Sequence, residues 1–152
     1  MPISKPGIWL EYWLPLLLWC GLVQYFSSDA FSYGETSRFI TPVLAFLFPT
    51  AGPDTLDLLH QVVRKLGHVL EFMAMGWLAV RALRFRRPEA EAVLASLAFV
   101  VMLAAVDEWH QALTATRGPS LADVGYDCLG GVLGISLSSG SGVPGSRLFG
   151  FR

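Results

Sequence analysis

The apolar run AVLASLAFVVMLAAV, residues 92–106, contains nothing more polar than Ser96, and Asp107 and Glu108 follow it directly. A helix needs about 20 residues to cross a hydrocarbon core of roughly 30 Å. The run is too short for this by itself, whereas a helix that continues to Gln111 is long enough. The sequence therefore predicts two acidic residues within the membrane, close to one of its surfaces.

The composition agrees with a bilayer environment. Of the 152 residues, 53% are hydrophobic and 15% are charged, whereas soluble domains carry about 25% charged residues. The net charge of −1, without a basic surface interleaved with aromatic residues, gives no basis for nucleic-acid binding. We therefore expect one membrane domain and no nucleic-acid partner.

Hydrophobic length predicts an all-α fold, a membrane helical bundle of four transmembrane helices. The predicted spans, with their polar ends included, cover residues 12–26, 64–83, 92–111 and 121–137. Residues 39–49 are too short to cross and contain Pro42, so we predict a short interfacial or re-entrant helix between the first and second spans. A single domain then comprises residues 1–137, and the Gly/Ser-rich residues 138–152 form a disordered tail.

The distribution of arginine predicts the orientation. One short connection between the second and third spans contains Arg81, Arg84, Arg86 and Arg87, and such clusters stay in the cytoplasm. Both termini are then cytoplasmic, and the polar ends of the spans face outward. A cleaved signal peptide is the alternative for residues 12–26, although their Trp and Tyr content favours a retained span.

Three of the predicted spans carry a polar helical face at the same outward end. By helical spacing, these faces contain Arg64, His68, Glu71 and Met75; Ala104, Asp107, Glu108 and Gln111; and Asp123, Asp127, Gly130 and Gly134. A lone charge at mid-membrane costs about 2.5–3.5 kcal/mol, so the polar side chains have to meet one another. We predict a water-accessible polar cluster between helices, with the small residues of GGVLG allowing a close helix approach.

Two pairs of residues have alternative roles. His68 and Glu71, one turn apart, form either an inter-helix hydrogen bond that fixes packing or a proton-transfer pair. Asp107 and Glu108 are adjacent and point about 100° apart on a helix. We expect Glu108 to face the centre beside Gln111, while Asp107 reaches the interface.

Cationic residues near the polar faces predict an anionic ligand. Arg117 either clamps Glu108 or Asp123, or binds a phosphate through its bidentate fork. Arg64 and Lys65 fall outside the positive-inside pattern, which favours a ligand over a purely topological role.

These arguments give a candidate site. The candidate catalytic residues are His68, Glu71, Glu108 and Asp123. The candidate substrate-binding residues are Arg64, Lys65, Gln111, Arg117 and Asp127. The candidate catalytic residues could supply nitrogen and oxygen ligands, but we expect no metal because the sequence contains no HExxH motif and no second histidine pair. We also expect no cofactor, because the sequence contains no phosphate-binding loop and no nucleophile motif. We expect His60 to be solvated, and Cys20 and Cys128 to be unpaired apolar residues.

The segments RKLGHVLEF (residues 64–72) and DEWHQALTATRGPSLADVGYDCLGGVLG (residues 107–134) resemble the VanZ-like family of bacterial integral membrane proteins. The residues that match the family position by position are His68, Glu71, Glu108, Gln111, Arg117 and Asp123. Asp127 departs from the pattern, which usually has asparagine there. The resemblance implies a multi-pass protein of the bacterial inner (cytoplasmic) membrane with a role in the cell envelope, since the family is named for a protein associated with teicoplanin resistance.

Two functions are compatible with these residues. The first is an outward-facing site for a membrane lipid or a lipid-linked, anionic envelope component, acting in envelope modification or glycopeptide (teicoplanin-type) resistance. The alternative is a non-catalytic envelope scaffold or a small transporter that uses the acid and histidine cluster as an ion or proton site. The sequence leaves open whether the protein is an enzyme and whether it forms a homo-oligomer.

Overall fold

The computed structural model describes residue 7 and residues 9–85, 87–113 and 120–140. The α-helices in these ranges are α1 (Leu14–Phe26), α2 (Tyr33–Leu47), α3 (Pro53–Arg84), α4 (Glu89–Ala112) and α5 (Leu121–Gly140). A π-helical turn, Trp9–Trp13, precedes α1, and a 3₁₀ turn, Asp29–Phe31, connects α1 to α2. The described part of the chain contains no strand, so the predicted all-α class is confirmed.

Local sequence explains where the helices begin. Pro15 and Pro53 occupy the first turns of α1 and α3, where the missing N–H has no intrahelical partner in any case. At the start of α2, the Ser32 hydroxyl accepts the Glu35 backbone N–H at 3.4 Å. Ser120 does the same for α5, accepting the Asp123 N–H at 3.3 Å. Both are N-caps that satisfy an otherwise unpaired donor.

The second helix is longer than the sequence predicted. We expected a short helix over residues 39–49, interrupted by Pro42, whereas α2 begins at Tyr33 and continues through that proline to Leu47. The Ser32 cap starts the helix earlier, and Pro42 removes one backbone hydrogen bond without ending it. The interfacial or re-entrant position of α2 stays a prediction.

The third helix also starts earlier than expected, and this changes the environment of His60. With 32 residues, α3 is about 48 Å long, and its first turns contain the polar run that we expected to be solvated. His60 is instead fully buried. Its Nε2 lies 3.1 Å from the Thr36 hydroxyl, and its ring centroid lies 4.4 Å from that of Tyr33. The prediction was wrong because α2 packs over this part of α3.

Within the described part of the chain, the helices that are long and apolar enough to cross a membrane are α3 and α4. Of their most apolar 18-residue windows, only 33% and 22% are buried inside the protein. The remaining apolar surface faces outward, as expected when a bilayer is the solvent. The crossing of α1, with 13 residues, and of α5, with 20 residues, stays a prediction.

The backbones of α3 and α5 are in direct contact at glycines. A Cβ atom at Gly76 would overlap the carbonyl of Gly131, and a Cβ atom at Gly130 would overlap the carbonyl of Val69. Gly134 also lies against the α3 backbone. The predicted close approach of the GGVLG helix therefore occurs, and its partner is α3.

Arginine side chains contact the residues before α1 and the last turns of α5 at one end of the bundle, which we call the arginine end. The Arg81 guanidinium lies 4.8 Å from the centroid of the Tyr12 ring, a cation–π contact with the N-terminal turn. Arg84 donates to the Ser138 carbonyl of α5 at 3.0 Å and forms an ion pair with Glu89 of α4. The start of α1, the end of α3, the start of α4 and the end of α5 therefore meet here.

The contact between α3 and α5 at glycines leads to a prediction about the free energy of unfolding. We expect Gly130→Ala to lower the free energy of unfolding by about 1–3 kcal/mol, because the new methyl group meets a backbone carbonyl that cannot rotate away. The matched control is Gly125→Ala, since nothing lies within 4 Å of a Cβ atom there. It should leave stability unchanged or raise it through helix propensity. The measurement is the thermal unfolding midpoint in detergent micelles, and equal midpoints for the two variants would contradict the packing described.

Candidate functional site

Polar side chains from four helices converge at the end of the bundle opposite the arginine end, which we call the acidic end. Ser27, directly after α1, donates to Asp107 of α4. His68 of α3 lies 3.2 Å from Asp127 of α5, measured from Nδ1 to Oδ1. The polar faces of the three helices therefore face one another inside the bundle and do not point toward lipid.

Asp107 is the fully buried acid of the adjacent pair, with an exposed fraction of 0%. Its Oδ1 accepts from the Ser27 hydroxyl and from Gln24 Nε2 at 3.3 Å, and its Oδ2 accepts from Gln111 Nε2 at 2.6 Å. We expected Asp107 to reach the interface and Glu108 to face the centre. The structure instead covers Asp107 with the end of α1, which supplies donors that a buried carboxylate requires.

Glu108 lies at the junction of α4 and α5. It is 9% exposed, and its Oε1 accepts the backbone N–H of Ser120, directly before α5. A carboxylate at a helix N-terminus is favoured by the helix dipole. Glu108 thus connects α4 to the start of α5. It takes no part in the hydrogen bonds that surround Asp107 among the described residues.

His68 is paired with Asp127 and not with Glu71, the partner suggested by sequence spacing. No hydrogen bond or ion pair joins His68 to Glu71 among the described residues. Asp127 is 1% exposed. Although its Oδ1 and the His68 Nδ1 are 3.2 Å apart, their angles do not satisfy hydrogen-bond geometry, and within the described ranges neither buried atom has a hydrogen-bond partner.

A group with metal-ligand geometry forms around this pair. Ligand atoms of His68, Asp107 and Asp127 all lie within 4.8 Å of one another. The acids that the sequence offers as ligands are Glu71, Glu108 and Asp123, and the expectation that no metal binds stays a prediction. The acids differ because the ligating side chains come from three helices whose relative rotation sequence spacing does not give.

The first of two cavities at the acidic end has a volume of about 280 Å³. Aromatic and aliphatic side chains form much of its wall, including Phe26, Phe31 and Ile40. On the α3 side, the polar residues are Arg64, His68 and Glu71. The cavity therefore combines an apolar wall with a cation and an acid.

The second cavity has a volume of about 210 Å³ and is lined by residues with polar side chains. Its lining residues are Tyr33, Gln61, Arg64, Lys65, His68, Gln111 and Asp123. Two of these, Arg64 and His68, also line the first cavity. The two cavities thus adjoin along one face of α3.

The two cations of this face are held in place. Arg64 Nη1 donates to the Phe31 carbonyl at 2.8 Å and to the Thr36 hydroxyl at 2.9 Å. A guanidinium has five N–H donors, so these bonds leave further donors for a ligand. The Lys65 ammonium lies 4.7 Å from the centroid of the Tyr126 ring, a distance typical of a cation–π contact.

The structure brings some of the candidate site residues together at the two cavities. The candidate residues that line one or both cavities are Arg64, Lys65, His68, Glu71, Gln111 and Asp123. Asp127 lies behind His68, Glu108 lies at the helix junction, and Arg117 lies outside the described residues.

Sequence reasoning missed the residues that α1 and α2 contribute. Gln24 and Ser27 bind Asp107, and Tyr33 and Thr36 contact His60. A signal was present, because each pair is three residues apart and therefore shares a helical face. Gln24 in particular is a polar residue within an apolar run.

Comparison with known proteins identifies a family. The model of the family described as VanZ/LLP1 matches residues 12–141, which is most of the chain and includes every helix that contributes to the site. This match confirms the resemblance seen in residues 64–134. No curated protein and no solved structure matches the chain significantly.

The hydrogen bonds to Asp107 lead to a second prediction about the free energy of unfolding. Ser27→Ala removes a donor to a buried carboxylate, and we expect it to lower the free energy of unfolding by about 1–3 kcal/mol. The matched control is Ser28→Ala, because the Ser28 hydroxyl bonds only the nearby Tyr25 carbonyl among the described residues. Thermal unfolding of both variants in the same detergent tests this. If Ser28→Ala lowers the midpoint as much as Ser27→Ala, the Asp107 contact contributes nothing specific.

Proposed function

We propose that this chain, which belongs to the VanZ/LLP1 family, binds the anionic headgroup of a lipid-linked cell-envelope component at an outward-facing site. Membership of the family suggests a membrane protein linked to resistance. The observation that carries the proposal is that two cavities with different linings adjoin at Arg64 and His68. One offers apolar surface for a chain and the other offers polar surface for a headgroup.

The polar groups at this junction suit a phosphate or pyrophosphate. Arg64 presents a planar fork of donors that matches phosphate oxygens, and Lys65 adds a second positive charge on the same wall. Phe26 and Phe31 form the adjoining apolar wall, which suits the first units of a hydrocarbon chain. An amphiphilic molecule can satisfy both linings at once, whereas a small hydrophilic anion leaves the apolar wall uncovered.

The position of the cavities along α3 supports an outward-facing site. Arg64 and Arg84 are separated by roughly 30 Å along the helix, at 1.5 Å per residue, which is about the thickness of a hydrocarbon core. From the positive-inside rule we infer that the arginine end, with the start of α1 and the end of α5, lies on the cytoplasmic side. The cavities then open at the outer surface of the bacterial inner membrane, where a lipid-linked substrate arrives by lateral diffusion.

His68 and Glu71 give the site groups that can move a proton. Both line the larger cavity beside Arg64, and imidazole and carboxylate are the usual general acids and bases. Within this proposal Arg64 and Lys65 bind the headgroup, His68 and Glu71 act on its acidic or hydroxyl groups, and Asp123 and Gln111 supply hydrogen bonds from the opposite wall.

The transporter alternative has less support in the packing. A proton or ion route needs polar groups through the bundle, from the acidic end to the arginine end. Between these ends the buried core is mainly apolar and includes Phe72, Met75 and Val100. The buried Ser96 hydroxyl donates to a backbone carbonyl of its own helix. We therefore favour binding at one surface over transport across the membrane.

Binding can be tested directly with an isoprenyl phosphate in nanodiscs, using the uncharged isoprenol of the same length as the control ligand. We expect Arg64→Gln to weaken binding of the phosphate by about 10–100-fold, the effect of losing a charge-assisted hydrogen bond of about 1.5–3 kcal/mol. The matched variant is Arg38→Gln, an exposed cation of α2 that pairs with Glu35, and it should bind like the wild type. Native mass spectrometry gives the affinities. Equal binding of phosphate and isoprenol, or an unchanged affinity in Arg64→Gln, would refute the proposal.

The phenotype can be tested in bacteria that express the protein. We expect the wild type to reduce susceptibility to teicoplanin, and Arg64→Gln and His68→Ala to abolish the reduction, because both residues line the two cavities. Membrane abundance is measured in parallel by immunoblot. A phenotype that falls only in proportion to abundance would mean that these residues hold the bundle together and do not bind a ligand.

A further inference from the structure

Two carboxylates are buried together at the acidic end with too little positive charge to balance them. Asp107 is 0% exposed and Asp127 is 1% exposed. Within the described ranges, the group at ion-pair distance from either carboxylate is the imidazole of His68, which carries at most one positive charge. A buried anion without a cationic partner is strongly unfavourable in an apolar bundle.

The contact between His68 and Asp127 does not resolve this imbalance. Their facing atoms, Nδ1 and Oδ1, are both inaccessible to solvent, and neither has a hydrogen-bond partner among the residues described. At 3.2 Å they are close, but their angles do not fit a hydrogen bond. Two buried atoms with lone pairs that face the same small region are the arrangement expected of ligands to a shared cation.

Asp107 is oriented toward this region by its own hydrogen bonds. Ser27 and Gln24 donate to one of its oxygens, and Gln111 donates to the other at 2.6 Å. Donors that fix a carboxylate from behind are typical of the residues surrounding a metal ligand. They also leave lone pairs on both oxygens for a further partner, since an ionised carboxylate has about four acceptor positions.

We propose that His68, Asp107 and Asp127 bind a divalent cation of the zinc class. Their ligand atoms lie within 4.8 Å of one another, and one imidazole with two carboxylates is a ligand set that zinc accepts. Two ligands of a tetrahedral zinc ion lie roughly 3.4 Å apart for bonds of about 2.1 Å, close to the 3.2 Å between His68 and Asp127. Asp107 supplies the third ligand atom, which lies within 4.8 Å of the other two.

The cation goes beyond the proposed headgroup binding and does not depend on it. It neutralises the two buried carboxylates and holds α3, α4 and α5 together from three sides. Because His68 also lines both cavities, a fourth ligand can come from the cavity side.

The test uses the full-length chain without a histidine tag, purified in detergent and freed of metal with EDTA. We expect added Zn²⁺ to bind at about one equivalent per chain, measured by mass spectrometry of the metal, and to raise the thermal unfolding midpoint. Asp127→Asn and His68→Gln should each weaken zinc binding at least about 100-fold and abolish the rise. The matched control is Asp54→Asn, the same change at an exposed aspartate in the first turn of α3 that lines neither cavity, and it should bind zinc like the wild type.

Several outcomes would overturn the proposal. Absence of stoichiometric zinc in the wild-type protein would overturn the metal site, and this result needs no variant to fold. Equal zinc binding by wild type, Asp127→Asn and His68→Gln would place the metal elsewhere on the chain. All of these measurements are made without lipid, so their failure is separate from a failure to bind isoprenyl phosphate.

Discussion

The burial of two aspartates in an apolar helical bundle is the constraint on which this structure depends. Asp107 and Asp127 are on different helices, and both are buried. Each therefore requires polar partners from a neighbouring helix. Asp107 receives them from Gln24 and Ser27, which fixes the end of α1 against α4. Asp127 faces His68, which fixes α5 against α3.

The glycine contact makes the second of these arrangements possible. Asp127 is followed one turn later by Gly130 and Gly131, at which the backbones of α5 and α3 meet without intervening side chains. This short separation between helices brings the Asp127 carboxylate within 3.2 Å of His68. Packing and electrostatics therefore act at neighbouring positions of one helix, and a larger residue at the contact would also displace the acid from its partner.

The acidic end and the cavities are connected through His68. On one side its ring faces Asp127 in the interior, and on the other it lines both cavities beside Arg64. A change of charge in the buried group therefore acts directly on the surface that a headgroup would contact, since electrostatic interactions are strong where water is excluded. The arginine end, roughly 30 Å away along α3, has no such connection, because the core between the two ends is mainly apolar.

The sequence by itself determined the helical class, the three polar faces and the glycine contact, because helix length and side-chain periodicity depend only on nearby residues. Tertiary structure alone decided which polar residue is covered by which neighbour. The burial of His60 depends on α2 folding over α3, and the choice of Asp107 over Glu108 depends on the end of α1. A local sequence pattern hardly distinguishes two adjacent acidic residues of one helix, such as Asp107 and Glu108. Their environments differ only once a second helix packs against one of them, and the position of that helix depends on packing across the whole bundle.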